Sequence, residues 1–200
     1  MRKIKALLVT SSPRATSGSA GVAREALAAA GIEEAEWLDT VQSPPPAYGK
    51  DLMDAVFGAS EEPGALRAKE ASDDYIAQVA RADVLVVAIP VHNFGVPSGF
   101  KAWMDQLARP GVTFKQGPSD RDGALSGKRA LVILASGGDH RGRADGHDHA
   151  GSHARAFFAF LGMQAEVVHV PSQAGARSER ERAAAVAEAT VILRGWLAQA

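Results

Sequence analysis

One uninterrupted apolar run constrains the fold of this chain more than any other feature. Residues 83–90 are Asp-Val-Leu-Val-Val-Ala-Ile-Pro, and the apolar stretch inside them is rich in β-branched side chains. A strand with one face in water alternates polar and apolar residues, whereas a continuous apolar run is typical of a strand that is covered on both faces. Such strands lie inside parallel sheets, whose crossover connections carry helices. The run therefore predicts an α/β fold with a central parallel sheet.

Shorter patterns predict the remaining elements of that fold. Strands are expected at residues 6–9, 36–39, 129–134 and 166–170, and helices at residues 19–30, 51–57, 65–81, 98–108, 152–161 and 179–197. The proline run at residues 44–46 is interpreted as a surface loop and not as a domain boundary, because too little chain precedes it. Five strands alternating with helices predict a doubly wound five-stranded parallel sheet with helices on both faces, for which 2-1-3-4-5 is the common strand order.

Composition narrows the function classes. The chain has 200 residues, of which 46% are apolar and 22% charged, and we expect residues 1–200 to form a single domain. No apolar segment approaches the roughly 20 residues that cross a bilayer, and the run at residues 6–9 is too short for a signal-peptide core, so a cytoplasmic protein is expected. A formal charge of −1 offers no footprint for nucleic acid or membrane. The absence of cysteine excludes thiol and disulfide chemistry, so any redox chemistry needs a bound cofactor.

The loop after the first strand is a candidate phosphate site. Residues 11–19 are Ser-Ser-Pro-Arg-Ala-Thr-Ser-Gly-Ser and lead into a helix, so hydroxyl groups and helix N-terminal amides come together there. Neither GxGxxG nor GxxxxGK[ST] is present, which leaves a flavin monophosphate as a better fit than a dinucleotide or a nucleoside triphosphate. Ordinary helix capping by serine explains the same residues equally well when this loop is taken alone.

The segment after the third strand carries a specific resemblance. Residues 93–98 are Asn-Phe-Gly-Val-Pro-Ser, and Lys101, Ala102, Trp103 and Asp105 follow. This segment resembles the flavin-binding loop and following helix of the FMN-dependent NADH-azoreductase (NADH:quinone oxidoreductase) family. Residues 11–14, 111–115 and the series Gly123, Leu125, Gly127 and Lys128 are similar to the same family in order and spacing.

The resemblance implies a flavodoxin-like homodimer with noncovalent FMN and an active site at the subunit interface. By position, the phosphate would be held by Ser12, Ser17, Gly18 and Ser19. The isoalloxazine would be lined by Val91, His92, Asn93 and Phe94, and a third loop would consist of Ala135, Ser136, Gly137 and Gly138. The implied activity is reduction of quinones and azo compounds by NADH or NADPH in a ping-pong reaction, with the flavin as hydride carrier.

Departures from the family pattern leave the substrate open. The family often has tyrosine where this chain has His92, and Ser-Arg-Gly-Gly where it has residues 135–138. His92 is a candidate proton donor or substrate contact, although its ring has a purely packing role in the alternative interpretation. Arg14, Arg141 and Arg143 are only candidates for contacting the 2′-phosphate of NADPH.

The sequence is also compatible with other functions. A nonenzymatic flavodoxin-type electron carrier is the main alternative, against which the near-neutral charge argues, and a family member that has lost its flavin is another. The His- and Asp-rich segment 139–153 suggests a metal site, but a polar rim over the active site is the simpler interpretation, and no metal is expected.

Phe100 and Trp103 are interpreted as packing or dimer contacts and His169 as structural. Phe114 is expected either to reach a neighbouring active site or to cover a local core, and the charged run 177–182 to form a solvated face.

Overall fold

The computed structural model describes residues 3–14, 18–58, 60–116, 121–139, 148–171 and 176–199. In chain order the elements are β1 (Ala6–Thr10), α1 (Gly18–Ala29), β2 (Ala35–Asp39), α2 (Lys50–Met53), a π-helical turn (Asp54–Gly58), α3 (Pro63–Arg81), β3 (Val84–Pro90), α4 (Ser98–Leu107), β4 (Phe114–Gln116), β5 (Arg121–Gly123), β6 (Arg129–Ala135), α5 (His149–Phe160), β7 (Gln164–Val170) and α6 (Ala176–Leu197).

Five of the strands form one parallel sheet in the order β2-β1-β3-β6-β7. Without the short strands β4 and β5, this is the predicted order 2-1-3-4-5, so the flavodoxin-like, doubly wound fold is confirmed. The chain moves outward from β1 to β2 and then returns to β3 on the other side of β1. In sheets of this kind the reversal opens a crevice at the carboxyl ends of the central strands.

The core has two layers, one on each face of the sheet. Alternate side chains of β3 point to opposite faces, so that Leu85 and Val87 pack with α4 and α5 while Val86 packs with α1 and α6. A strand that is covered on both faces needs apolar residues at every position, which explains the run that predicted it. Phe100 and Trp103 are fully buried in the first layer, as the packing interpretation requires.

A two-stranded antiparallel hairpin, β4 paired with β5, was not predicted. Phe114 of β4 packs against Phe160, with ring centroids 4.6 Å apart, so within this chain Phe114 covers a local core. Gly123 of β5 lies directly against the backbone of Leu161 and Gly162, where a methyl group would overlap main-chain atoms. The hairpin is thereby tied to the turn that follows α5.

Several predicted boundaries were wrong. The helix expected at residues 51–57 is a single α-helical turn followed by the π-helical turn. α5 begins at His149, earlier than expected, because Asp148 caps it by accepting a hydrogen bond from the Gly151 N–H at 3.1 Å. β7 begins at Gln164 because backbone pairing with Arg129 extends past the apolar residues. In the described ranges, every helix is too short or too polar to cross a membrane.

Candidate functional site

A cavity of about 630 Å³ lies at the carboxyl ends of the central strands, where the fold predicts a ligand. Its wall comes from three loops and from the start of α6. The lining residues are Ser12, Pro13, Arg14, Gly18, Pro90, Val91, His92, Ala135, Ser136, Gly137, Val170, Ser178 and Arg182.

The loop after β1 is held in place by hydroxyl groups. The Thr40 hydroxyl is hydrogen-bonded to the Ser11 hydroxyl at 2.7 Å and donates to the Thr10 carbonyl at 3.1 Å. The Ser12 hydroxyl accepts a hydrogen bond from the Arg14 N–H at 3.3 Å, and both residues face the cavity. Gly18 starts α1, so the positive end of that helix opens into the same space. This part of the cavity favours an anion.

The loop after β3 makes a tight turn from His92 to Gly95. The two residues exchange backbone hydrogen bonds of 3.0 and 2.9 Å, and Asn93 and Phe94 between them have φ angles of 48° and 68°. Positive φ at both central positions is the pattern of a type I′ turn, which suits asparagine and glycine. Phenylalanine is strained there, and strained backbone concentrates at functional sites.

Two backbone hydrogen bonds join the ends of β3, β6 and β7. The Val91 N–H donates to the Ala135 carbonyl at 2.8 Å, and the Ser136 N–H donates to the Val170 carbonyl at 3.1 Å. The Ser136 hydroxyl turns back to donate to the Gly138 carbonyl at 2.5 Å. The loops that flank the cavity therefore have a rigid base, and a flat ligand would lie against backbone and small side chains.

The structure brings most of the predicted site residues together. Those in the cavity wall are Ser12, Gly18, Val91, His92, Ala135, Ser136 and Gly137. Ser19 lies next to the wall with its side chain fully buried, Asn93 and Phe94 lie in the adjacent turn, and Gly138 follows the wall. Ser17 lies outside the described residues, so its role stays a prediction.

The sequence analysis missed the contribution of α6. Ser178 and Arg182 line the cavity, a position that the interpretation of residues 177–182 as a solvated face did not include. They are four residues apart and thus share one face of the helix. Among the described residues, the wall includes two arginines and one histidine but no carboxylate. The site is therefore electropositive and suits a ligand with a negative charge.

The segment 139–153 gives no metal centre among the described residues, in which no three His, Asp or Glu side chains come close enough to hold an ion. His140 and His147 lie outside the described residues. His153 lies on α5 near Lys101 of α4, and burial, followed by the charge of Lys101, lowers its pKa. His169 of β7 pairs with Asp148 at 3.5 Å, which ties the start of α5 to the sheet in the structural role expected of it.

Fold and site together define a ligand-binding α/β protein with its cavity at the switch point of a parallel sheet. The family model described as "Flavodoxin-like fold" matches residues 4–193, and the chain belongs to this family. Among curated proteins, the chain is similar to FMN-dependent NADH:quinone oxidoreductase 2 of Pseudomonas putida, with 39% identity over 62% of this chain and 63% of that protein. FMN-dependent NADH:quinone oxidoreductase 1 of Rhizobium etli is 33% identical over 92% of this chain and 95% of its own length.

Solved structures share the fold. An azoreductase from Bacillus anthracis superposes with a TM-score of 0.86 at 24% identity, covering 96% of this chain and 99% of that one. An FMN-dependent NADH-azoreductase from the same species, solved in complex with FMN, superposes with a TM-score of 0.83 at 24% identity over 94% of this chain and 97% of that one. At this level of identity the likeness supports the fold alone.

Proposed function

We propose that the chain is an FMN-dependent NAD(P)H oxidoreductase that reduces quinones and azo compounds by a ping-pong reaction. The observation that carries the proposal is one cavity, lined by two arginines, that collects seven of the residues assigned to FMN by resemblance. Similarity to curated FMN-dependent NADH:quinone oxidoreductases supports it, the Rhizobium etli protein over nearly the whole chain. The azo activity and the ping-pong order are finer proposals that rest on the resemblance.

The residues present fit FMN. The Ser12 hydroxyl, Arg14 and the amino end of α1 at Gly18 provide donors and positive charge for a phosphate. Val91, His92 and the residues of the β6 loop provide a surface of backbone and small side chains for a flat ring system. Bound FMN would supply a two-electron carrier between a nicotinamide and an acceptor.

The chain itself positions the reactants. The backbone hydrogen bonds from Val91 and Ser136 fix the loops against which the ring would lie. His92, exposed in the wall, is proposed to hold or deliver a proton to the acceptor, or to contact the substrate directly. Arg14 is exposed at the cavity rim, where it is a candidate contact for the phosphates of the nicotinamide coenzyme.

We also infer one flavodoxin-like domain that assembles as a homodimer. Several large apolar side chains between β2 and α3 are exposed, among them Tyr48, Met53 and Phe57, and the exposed fraction of Phe57 is 71%. Apolar surface of this kind supports an interface between protein chains. A cytoplasmic location stays a prediction.

The test is an absorbance titration of the purified protein with FMN, followed by anaerobic addition of NADH or NADPH and then of a quinone. We expect FMN to be retained after desalting, to be bleached by a nicotinamide and to be reoxidised by the quinone. Retention without bleaching by either nicotinamide would favour the electron-carrier function. Failure to retain FMN would contradict both proposals.

A further inference from the structure

Arg182 lies in the cavity wall, against the first turns of α1. Its Nη2 atom contacts Gly21 in the first turns of α1, at 2.7 Å from the position that a Cβ atom would occupy. A larger residue at Gly21 would push the guanidinium away from the helix. Ser178, one turn earlier on the same face of α6, lines the same cavity. The side chain of Arg182 therefore reaches across from α6 to the amino end of α1.

A cation at this position is unfavourable in the absence of an anion. The amino end of a helix carries a partial positive charge, so it repels a guanidinium and attracts a phosphate. Arg14 adds a second positive charge to the wall, whose described residues include no carboxylate. A bound phosphate dianion would turn this repulsion into attraction, because the helix end and both arginines would then stabilise the dianion.

Glu25 of α1 pairs with Arg182 at 2.5 Å, and this pair is the alternative explanation of the arrangement. The side chain of Arg182 is 41% exposed and that of Glu25 is 52% exposed, and ion pairs as exposed as this contribute little to stability. The pair leaves the other guanidinium nitrogens able to donate, since the hydrogen bond to Glu25 uses Nη2 alone. Glu25 therefore engages only part of the guanidinium, and the remaining N–H groups of Arg182 stay able to bind an anion.

We propose that Arg182 is a binding residue for the 5′-phosphate of FMN. This inference rests on the proposed function and adds a contact from α6 to a phosphate site otherwise built from the β1 loop. Because its partner is the phosphate and not the ring, Arg182 should discriminate FMN from riboflavin, which has the same isoalloxazine and no phosphate.

The experiment measures dissociation constants of FMN and riboflavin by quenching of flavin fluorescence for the wild-type chain and for R182Q, E25Q and R180Q. Arg180 is an exposed arginine of the same helix that does not line the cavity, which makes R180Q the matched control. We expect R182Q to weaken FMN binding by about tenfold or more and riboflavin binding by less than about twofold. E25Q and R180Q should keep FMN affinity within about twofold of wild type.

Two outcomes would overturn the inference while leaving the proposed function in place. One is an equal loss of FMN and riboflavin affinity in R182Q, and the other is a loss of FMN affinity in E25Q as large as in R182Q, because either would mean that the ion pair only holds α1 against α6. A wild-type chain that binds neither flavin would instead overturn the proposed function itself. If R182Q does not fold, R182K replaces it, and a smaller loss confined to FMN is expected because lysine keeps the charge and loses the planar fork.

Discussion

Substitutions at Asn93 can separate the conformational role of this residue in the turn from the role of its side-chain amide. Its φ of 48° lies in the left-handed region, which costs a β-branched residue about 1 to 2 kcal/mol and costs glycine nothing. We expect N93V to lower the free energy of unfolding by about that amount and N93G to change it by less than about 0.5 kcal/mol. Urea denaturation of both variants measures the difference.

The two Asn93 variants also divide the possible roles in binding. Both lose the side-chain amide of Asn93, a residue that the resemblance places against the isoalloxazine, so a loss of FMN affinity common to both belongs to the amide. A loss found in N93V alone belongs to the turn. Equal stability of the two variants would contradict the strained turn.

Gly137 tests the proposed ring surface. It lines the cavity, and a Cβ atom placed on it would have no neighbour within 4 Å. A larger side chain at this position therefore fits the cofactor-free protein. We expect G137V to keep the melting temperature of the cofactor-free protein and to weaken FMN binding by about tenfold or more, because the branched side chain would occupy space proposed for the ring. Parallel melting curves and flavin titrations measure both quantities.

The control for Gly137 is G49V, at an extended backbone position that does not line the cavity. It should leave flavin binding unchanged. Unchanged FMN affinity in G137V would remove the β6 loop from the proposed ring surface.

At the scale of elements, the hairpin of β4 and β5 depends on one close contact. A methyl group at Gly123 would overlap the backbone of Leu161 and Gly162, and backbone cannot move aside as a side chain can. We expect G123A to cost about 2 to 3 kcal/mol of unfolding free energy. G195A, in α6 with no neighbour near the added atom, should instead add about 0.5 to 1 kcal/mol, since alanine favours helix. Chemical denaturation of the pair gives both values, and a neutral G123A would contradict the contact.

The elements that the sequence predicted differ physically from those that it did not. Strands such as β3 are buried on both faces, so their composition alone distinguishes them. The strands of the hairpin have three residues each and carry polar side chains such as Lys115, Gln116 and Asp122, so only backbone pairing defines them. The local pattern of polar and apolar residues contains no signal for that pairing, or for the backbone contact of Gly123.

At the scale of the whole molecule, we expect a sedimenting mass of about twice the 20.9 kDa of one chain. Phe57 is the test position because an aspartate in an apolar interface would be buried without a partner. F57D should therefore shift the species toward the monomer in analytical ultracentrifugation. V191D is the matched control, because Val191 of α6 is equally exposed at 71% and lies on a different part of the surface. A wild-type monomer would contradict the homodimer, and a dimeric F57D would place the interface elsewhere.

The part of the candidate site that lies in individual loops could be predicted from the sequence. The loops after β1, β3 and β6 carry recognisable residues, and the sheet order brings them to one edge. Ser178 and Arg182 lie in the first turns of α6, whose charged sequence is typical of a solvent-exposed helix. Only the packing of α6 on α1 turns the face that carries these two residues toward the cavity. Helix periodicity would place the two residues on a common face, but it does not say what that face meets.

The cavity wall runs from Ser12 to Arg182 along the chain, and this spread has a consequence for biosynthesis. During translation, the β1 loop leaves the ribosome long before α6 has been made, so the nascent chain carries an incomplete pocket for most of its synthesis. Cofactor binding at the complete pocket then has to follow the synthesis of α6 and its packing on α1. Newly made chains should accordingly pass through a cofactor-free stage whose lifetime depends on the supply of FMN.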